Sequence, residues 1–199
     1  MIRLSVTDLE TFRYWKDRDD ATLDDLLQEL AHKDAPTPAM EAGRAFAKLF
    51  EHAKEGDLFS CEVDGWGFTF DLHEEIALPA VRELKAEVLF QTPSGPVTLV
   101  GKVDGLDGAV HDQKLTDRYD VEGKYVDSLQ WRAYLVMFGA KKFVYDIFVG
   151  RRNDARKDVT IYEYHPVPFY TYPGIQQDVQ RAVDELAGIV ARHMPARLT

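Results

Sequence analysis

The chain has 199 residues, 45% of them hydrophobic and 29% charged, a composition typical of a globular protein rather than a fibrous or disordered one. Its formal net charge of −10 excludes a broadly cationic coat for nucleic acid, so any positive charge that meets a polyanion must be local. A single cysteine, Cys61, excludes an internal disulfide, a four-cysteine zinc site and a four-cysteine iron–sulfur cluster.

The length fits one domain, residues 1–199, with a sizeable core. No apolar run is long enough to span a bilayer, and the opening MIRLSVTDLE lacks the apolar centre of a signal peptide. We therefore expect a cytoplasmic protein without a membrane partner. Local positive charge is available at Lys141, Lys142, Arg151, Arg152, Arg156 and Lys157.

The first part of the chain predicts three helices, each with a recognisable start. The first helix runs from Leu4 to Trp15 with Ser5 as its N-cap, and the second from Thr22 to His32. The third is capped by Thr37, has Pro38 at its first position and ends near Gly56.

The middle of the chain predicts strands, and its last part mixes strands with helices. Two strands flank an Asp64-Gly65 turn, and others run over 83–92, 97–104, 109–114, 141–150 and 158–164. Helices are expected from Asp127 or Ser128 to Phe138 and from about Gly174 to the break at Pro195, with the aromatic, proline-rich run before Gly174 as a packed connector. The predicted fold is α/β, a central mixed β-sheet flanked by helices.

Two carboxylates are expected to meet where strands 97–104 and 109–114 pair. Alternation places Asp104 at the end of the first strand, while Asp112 and Lys114 share a face of the second. Neighbouring carboxylates repel each other unless a cation lies between them, and hard oxygen ligands suit Mg²⁺ or Mn²⁺. The lysine is placed to position water or to offset charge on a phosphate. The pattern therefore indicates phosphodiester hydrolysis.

Three motifs resemble, in order and spacing, the G-x-(I/V)-D, (D/E)-x-K and Q-x-x-x-Y motifs of PD-(D/E)xK nucleases. They are Gly101-Lys102-Val103-Asp104, Asp112-Gln113-Lys114 and Gln130-Trp131-Arg132-Ala133-Tyr134. The third motif is similar to that of the RecB-like branch, and the chain looks most like phage-type exonucleases. The resemblance implies a restriction-endonuclease-like core.

The resemblance also implies roles for individual residues. Asp104 and Asp112 would bind the metal with the Gln113 backbone carbonyl, and Gln130 and Tyr134 would flank the centre beside Lys114 as further catalytic residues. A glutamate on the preceding strand would complete the metal site: Glu87 is the better-spaced candidate and Glu83 the weaker one, and an outward-facing surface glutamate is the alternative.

The chain departs from the family pattern on its third helix. Gly43 matches a glycine that precedes a histidine or glutamate ligand by four residues, but that ligand position is Ala47. Either the metal has fewer side-chain ligands, or Glu41 or Glu51 substitutes from a neighbouring turn, or Ala47 does not align with the ligand position of the family.

The expected function is that of a Mg²⁺-dependent deoxyribonuclease, an exonuclease on linear DNA in phage recombination or repair. Its partners would be DNA and, by resemblance, a single-strand annealing protein. Arg118 and Lys124, in the loop after Lys114, are candidates to meet phosphates, while Trp131, Tyr170 and Tyr172 either stack on bases or pack internally. The alternatives are a catalytically degenerate nuclease fold serving as a DNA-binding or protein-interaction module, and a metal-free α/β protein.

Overall fold

The computed structural model describes residues 1–31, 35–54, 60–73, 76, 78–122 and 124–197. The strands are β1 (Ile2–Ser5), β2 (Ser60–Val63), β3 (Trp66–Phe70), β4 (Val81–Thr92), β5 (Gly95–Leu106), β6 (Val110–Thr116), β7 (Lys142–Asn153) and β8 (Asp158–Tyr170). The α-helices are α1 (Val6–Lys16), α2 (Leu23–Leu30), α3 (Pro38–His52), α4 (Leu129–Phe138) and α5 (Ile175–His193). None of the described helices is long and apolar enough to cross a bilayer.

All eight described strands form one mixed sheet, which confirms the predicted fold class. The order is β1-β5-β6-β7-β8-β3-β2, and β4 pairs with the other edge of β5. The pairs β1–β5, β6–β7 and β3–β8 are parallel, and the others are antiparallel.

The helices cover the sheet unequally. One face packs against α1, α4 and α5, whose apolar stripes meet the buried side of β5 and β7. On the other face α3 forms a second core, in which Phe46 and Phe50 contact Phe148 of β7 with ring centroids 5.1 Å apart. The central strands therefore lie between two separate helix layers.

Helix starts agree closely with the sequence. Ser5 caps α1 through a reciprocal pair of hydrogen bonds with Asp8, of 3.0 and 2.8 Å. Thr37 caps α3 with Pro38 in the first turn, and Ser128 caps α4, which ends at Gly139 in the left-handed conformation, φ 60°. The predicted helix ends at His32 and Gly56 lie outside the described residues.

Two segments differ from the sequence expectation. Residues 2–5 form β1, parallel to residues 97–100 of β5, where a helix start at Leu4 was predicted. The proline-rich run before Gly174 continues β8 to Tyr170, where a connector was predicted. Beyond Ile161 the ladders pair β8 with β7 alone, so its prolines lie in a strand with an open edge, where proline is tolerated.

Candidate metal centre

The site begins where β5 and β6 separate. These antiparallel strands pair only at Gly105 with His111 and Leu106 with Val110, and one step further the ladder ends. There the Asp104 carboxylate takes the place of a backbone partner, because its Oδ2 accepts a hydrogen bond from the Gln113 N–H at 2.7 Å. This contact draws Asp104 across the opening toward Asp112. We call this opening the β5–β6 fork.

Asp112 lies on the β6 side of the fork and is 4% exposed. Its Oδ1 accepts a hydrogen bond from Nε2 of Gln130 at 2.8 Å. Its Oδ2 forms an ion pair with the Lys114 ammonium, and the Lys114 side chain is 30% exposed. The structure thus brings Asp104, Asp112, Lys114 and Gln130 together.

Burial and neighbouring charges shift the pKa values of all three charged side chains at the fork. Burial, followed by the negative charge of Asp112, raises the pKa of Asp104 to about 7. Burial also raises the pKa of Asp112, against the opposing effect of Lys114. The pKa of Lys114 is raised too, since the Asp112 carboxylate outweighs the effect of burial. The fork therefore holds more negative charge than one ammonium neutralises.

These donors fit a hexacoordinate hard cation better than a closed tetrahedral ion. Among the described residues no three His, Cys, Asp or Glu side chains converge as a metal-ligand set. Mg²⁺ commonly takes only one or two carboxylates and keeps several waters, whereas structural zinc needs four protein ligands. Asp104 and Asp112 would hold such an ion. The Gln113 carbonyl as a further ligand stays a prediction.

Glu87 does not lie at the fork. It pairs with Val100 in the β4–β5 ladder, four residues before Asp104, and its carboxylate binds Arg3 at 2.5 Å in an exposed ion pair. The weaker candidate, Glu83, lies closer: it forms an ion pair with Lys102, and its charge contributes to the raised pKa of Asp104 after burial and Asp112. The expectation that Glu87 is the better-placed glutamate is therefore wrong.

The register of the β4–β5 ladder explains the difference. Arg82 pairs with Gly105 and Leu84 with Val103, so Glu83, with φ 58°, lies opposite Asp104. Glu87 lies four residues further along β4, opposite Val100, and so is distant from Asp104.

Tyr134 contacts the strand instead of the carboxylates. Its hydroxyl donates to the Lys102 carbonyl at 2.8 Å, one turn along α4 from Gln130. A Cβ on Gly101 would come within 2.7 Å of the Tyr134 ring, so glycine permits this approach. Trp131, a candidate base-stacking residue, packs internally against Phe169, with ring centroids 4.9 Å apart.

Glu10 is a site residue that the sequence did not indicate. From α1 its Oε2 accepts hydrogen bonds from the backbone N–H groups of Leu129 (2.8 Å) and Gln130 (3.2 Å) and from the Ser128 hydroxyl (3.0 Å). It thereby fixes the start of the helix that carries Gln130. Only tertiary packing brings α1 to this helix, so no local signal could have found it.

A second polar cluster supports the fork from the opposite face of the sheet. His111 lies between two carboxylates, with Nδ1 2.7 Å from Asp146 and Nε2 2.9 Å from Asp107, and Tyr164 donates to Asp146 at 2.7 Å. Burial lowers the pKa of His111, but the two carboxylates outweigh it and the pKa is raised. The cluster ties β6 to β7 beside Asp112.

The two glutamates of α3 that could replace the missing ligand, Glu41 and Glu51, lie in different parts of the structure. Glu41 lies 3.7 Å from Lys157, near the start of β8, and Glu51 lies near Lys102, because its charge contributes to the raised pKa of that lysine after the hydrogen bond to Glu83. Ala47 is one turn from Glu51 and so shares its helix face. The C-terminal half of α3 is therefore the half nearest β5.

The remaining predicted contacts lie at the surface. The Arg118 side chain is 80% exposed and pairs with Asp120 at 3.4 Å, Lys124 is exposed, and Tyr170 is 60% exposed. Tyr172 donates to Asp178 at 2.6 Å. Lys142 and Arg152 lie near opposite ends of β7, so the basic residues proposed as local positive charge do not form one patch.

Comparison with solved structures finds similar folds. SSO0001 aligns with a TM-score of 0.54 and 15% identity, covering 100% of this chain and 89% of that one. A candidate exonuclease from Eubacterium rectale aligns at TM-score 0.49 and 12% identity over 98% of this chain and 80% of that one. The alkaline exonuclease LHK-Exo from Laribacter hongkongensis aligns at 0.46 and 14% over 95% and 88%. No protein-family model and no curated protein matches the sequence. At 15% identity, the likeness to SSO0001 concerns the fold alone.

Proposed function

We propose that the chain is a Mg²⁺- or Mn²⁺-dependent deoxyribonuclease. The observation that carries this proposal is the pair of carboxylates at the β5–β6 fork, Asp104 and Asp112, with the Lys114 ammonium on Asp112. An excess of buried negative charge with an ammonium at its edge is costly for stability alone. The arrangement becomes favourable when a bound cation balances the carboxylates and a phosphate balances the ammonium.

Each residue of the fork has a distinct part in hydrolysis. Asp104 and Asp112 would hold the ion, which when bound activates water as a nucleophile and offsets negative charge on the phosphate. Gln130 holds Asp112 through one oxygen and leaves the other directed at Lys114. Lys114 offsets the charge that develops on the phosphate oxygens as the new P–O bond forms and the ester P–O bond breaks.

The substrate within this class follows from the motif resemblance. We propose an exonuclease acting on linear DNA in phage-type recombination or repair, with a single-strand annealing protein as its partner. Gly101 to Asp104, Asp112 to Lys114, and Gln130 with Tyr134 carry that resemblance. The contacts among Asp104, Asp112, Lys114 and Gln130 at the fork support the proposal.

The test compares linear with covalently closed circular duplex DNA in Mg²⁺ and in Mn²⁺. We expect the wild type to degrade the linear form only, and Asp112→Asn to lower the rate by about 100-fold or more. Asp117→Asn, an exposed carboxylate nearby in the chain, is the matched control and should keep full activity. Hydrolysis of neither form, with metal bound, would instead favour a DNA-binding or protein-interaction module. Equal cleavage of the circle would make the enzyme an endonuclease.

A further inference from the structure

One stretch of β5 has no neighbouring strand on the side of the fork. The pairing with β1 ends at Ser5 and Val100, and the pairing with β6 begins only at Gly105. Between them the structure has a groove of about 440 Å³, within the size range of ligand sites. We call it the β5-edge groove; its lining includes Arg3, Ser5, Thr7, Lys85, Lys102 and Tyr134.

The β5-edge groove contains two lysines that face each other directly. Lys85 of β4 and Lys102 of β5 are partners in the antiparallel ladder, which places their Cβ atoms about 5 Å apart. Like charges in this position destabilise a sheet. Lys102 has an ion pair with Glu83, but the Lys85 side chain has no hydrogen bond or ion pair with any described residue.

The lining of the groove carries more cations than carboxylates, although the chain as a whole is strongly negative. Its third cation, Arg3, pairs at the rim with Glu87, in an ion pair whose side chains are 54% and 57% exposed. Three cations and one carboxylate thus line the groove, against a net charge of −10 for the whole chain, while Lys102 also interacts with carboxylates outside the lining. A local excess of this kind attracts polyanions.

The groove also lies beside the candidate metal centre. Lys102 precedes Asp104 by two residues on the same face of β5, so a chain of phosphates could pass from one to the other without crossing a strand. Between Val100 and Gly105, β5 has no neighbouring strand among the described ones on this side, and the Tyr134 hydroxyl donates a hydrogen bond to the Lys102 carbonyl there. This carbonyl therefore has a partner although no strand pairs with it.

We propose that the β5-edge groove binds the phosphodiester backbone of the nucleic-acid strand whose scissile phosphate lies at the β5–β6 fork. Lys85 is its principal phosphate contact, and Glu87 restrains the groove by holding Arg3. The path of the strand rests on the proposed function, but the binding of phosphates does not require hydrolysis.

The experiment measures binding of a fluorescein-labelled single-stranded DNA oligonucleotide by anisotropy in EDTA, where metal-dependent hydrolysis is stopped. Lys85→Gln should weaken binding several-fold and reduce the slope of log K against log salt by about 0.7, the loss of one phosphate contact. Lys48→Gln, an exposed lysine outside the groove, is the matched control and should bind as the wild type does.

Two further measurements separate a binding role from a structural one. Lys85→Gln removes the facing like charge, so its melting temperature should rise by about 1–2 °C while DNA binding falls. Glu87→Gln should bind DNA more tightly because Arg3 is released. Equal binding by Lys85→Gln and Lys48→Gln, or weaker binding by Glu87→Gln, overturns the proposal. If the protein hydrolyses no DNA but its DNA binding depends on Lys85, the proposed nuclease function is wrong and the proposed binding role of the groove stands.

Discussion

The Oε2 atom of Glu10 accepts a hydrogen bond from the backbone N–H of Leu129 at 2.8 Å, and this contact joins α1 to the first turn of α4. A carboxylate at a helix N-terminus satisfies free N–H groups and interacts favourably with the helix dipole. The next residue, Gln130, donates to Asp112, so the position of this proposed metal ligand depends on a glutamate two contacts away.

Glu10→Ala should therefore affect stability and activity together. We expect the free energy of unfolding to fall by about 1–3 kcal/mol, since the N–H groups of α4 lose their acceptor inside the protein. Urea denaturation measures this change. Glu185→Ala, which removes an exposed ion pair with Lys16, is the control and should cost less than about 1 kcal/mol. Equal effects of the two substitutions would contradict the capping role.

Lys114→Ala should separate chemistry from metal binding. We expect DNA hydrolysis to fall by about 100-fold or more, because the ammonium acts on charge that develops in the transition state. Mn²⁺ affinity, measured by calorimetry, should change little because two effects oppose each other. Loss of the ammonium removes a positive charge that repels the ion, but it also removes the charge that keeps Asp112 ionised. Unchanged hydrolysis would remove Lys114 from the mechanism.

Stability without metal should decrease as the pH rises. The pKa of Asp104 is about 7 in the folded protein and near its ordinary 3.8 when unfolded, so between about pH 4 and pH 7 the folded state holds more protons. Its burial then costs increasing free energy up to neutral pH. Asp112 and His111, whose pKa values are also raised, act in the same direction.

Thermal melts in EDTA across this pH range measure the effect. Asp104→Asn, which can still accept the Gln113 hydrogen bond, should flatten the dependence, whereas Asp117→Asn should leave it as in the wild type. Mg²⁺ should stabilise the wild type more at pH 8 than at pH 6, because protons compete with the ion for Asp104. An unaltered slope in Asp104→Asn would mean that this carboxyl is not responsible.

Ala47→His tests the departure from the family pattern on α3. If Ala47 occupies the vacant ligand position, a histidine there should tighten Mn²⁺ binding, because a protein ligand replaces a bound water. Arg44→His places the same side chain on an exposed position of the same helix and is the matched control. Equal affinities for both variants would remove α3 from the metal centre.

Local signals predicted the parts of this fold that local chemistry determines. Thr37 and Pro38 marked the start of α3, Asp64 and Gly65 marked a hairpin, and both fork carboxylates were located by strand alternation. The misses come from tertiary contacts. β1 is only four residues long and becomes a strand by pairing with β5.

The glutamate on β4 shows the limit of counting along a strand. Alternation places Glu83 and Glu87 on the same face of β4, but only the register with β5 sets Glu83 opposite Asp104 and Glu87 opposite Val100. Glu10 was missed because its partners lie more than a hundred residues later in the chain.

The hydrogen bond from the Gln113 N–H to Asp104 makes one carboxylate serve two purposes. The same side chain that would bind the ion also closes the sheet where its backbone ladder ends, so occupancy of the centre and local opening of β6 are thermodynamically linked. The Gln113 amide proton is consequently an internal reporter. Its hydrogen exchange should become slower when metal is added and faster when Asp104 is substituted. The exchange rate would therefore report on the centre without a substrate.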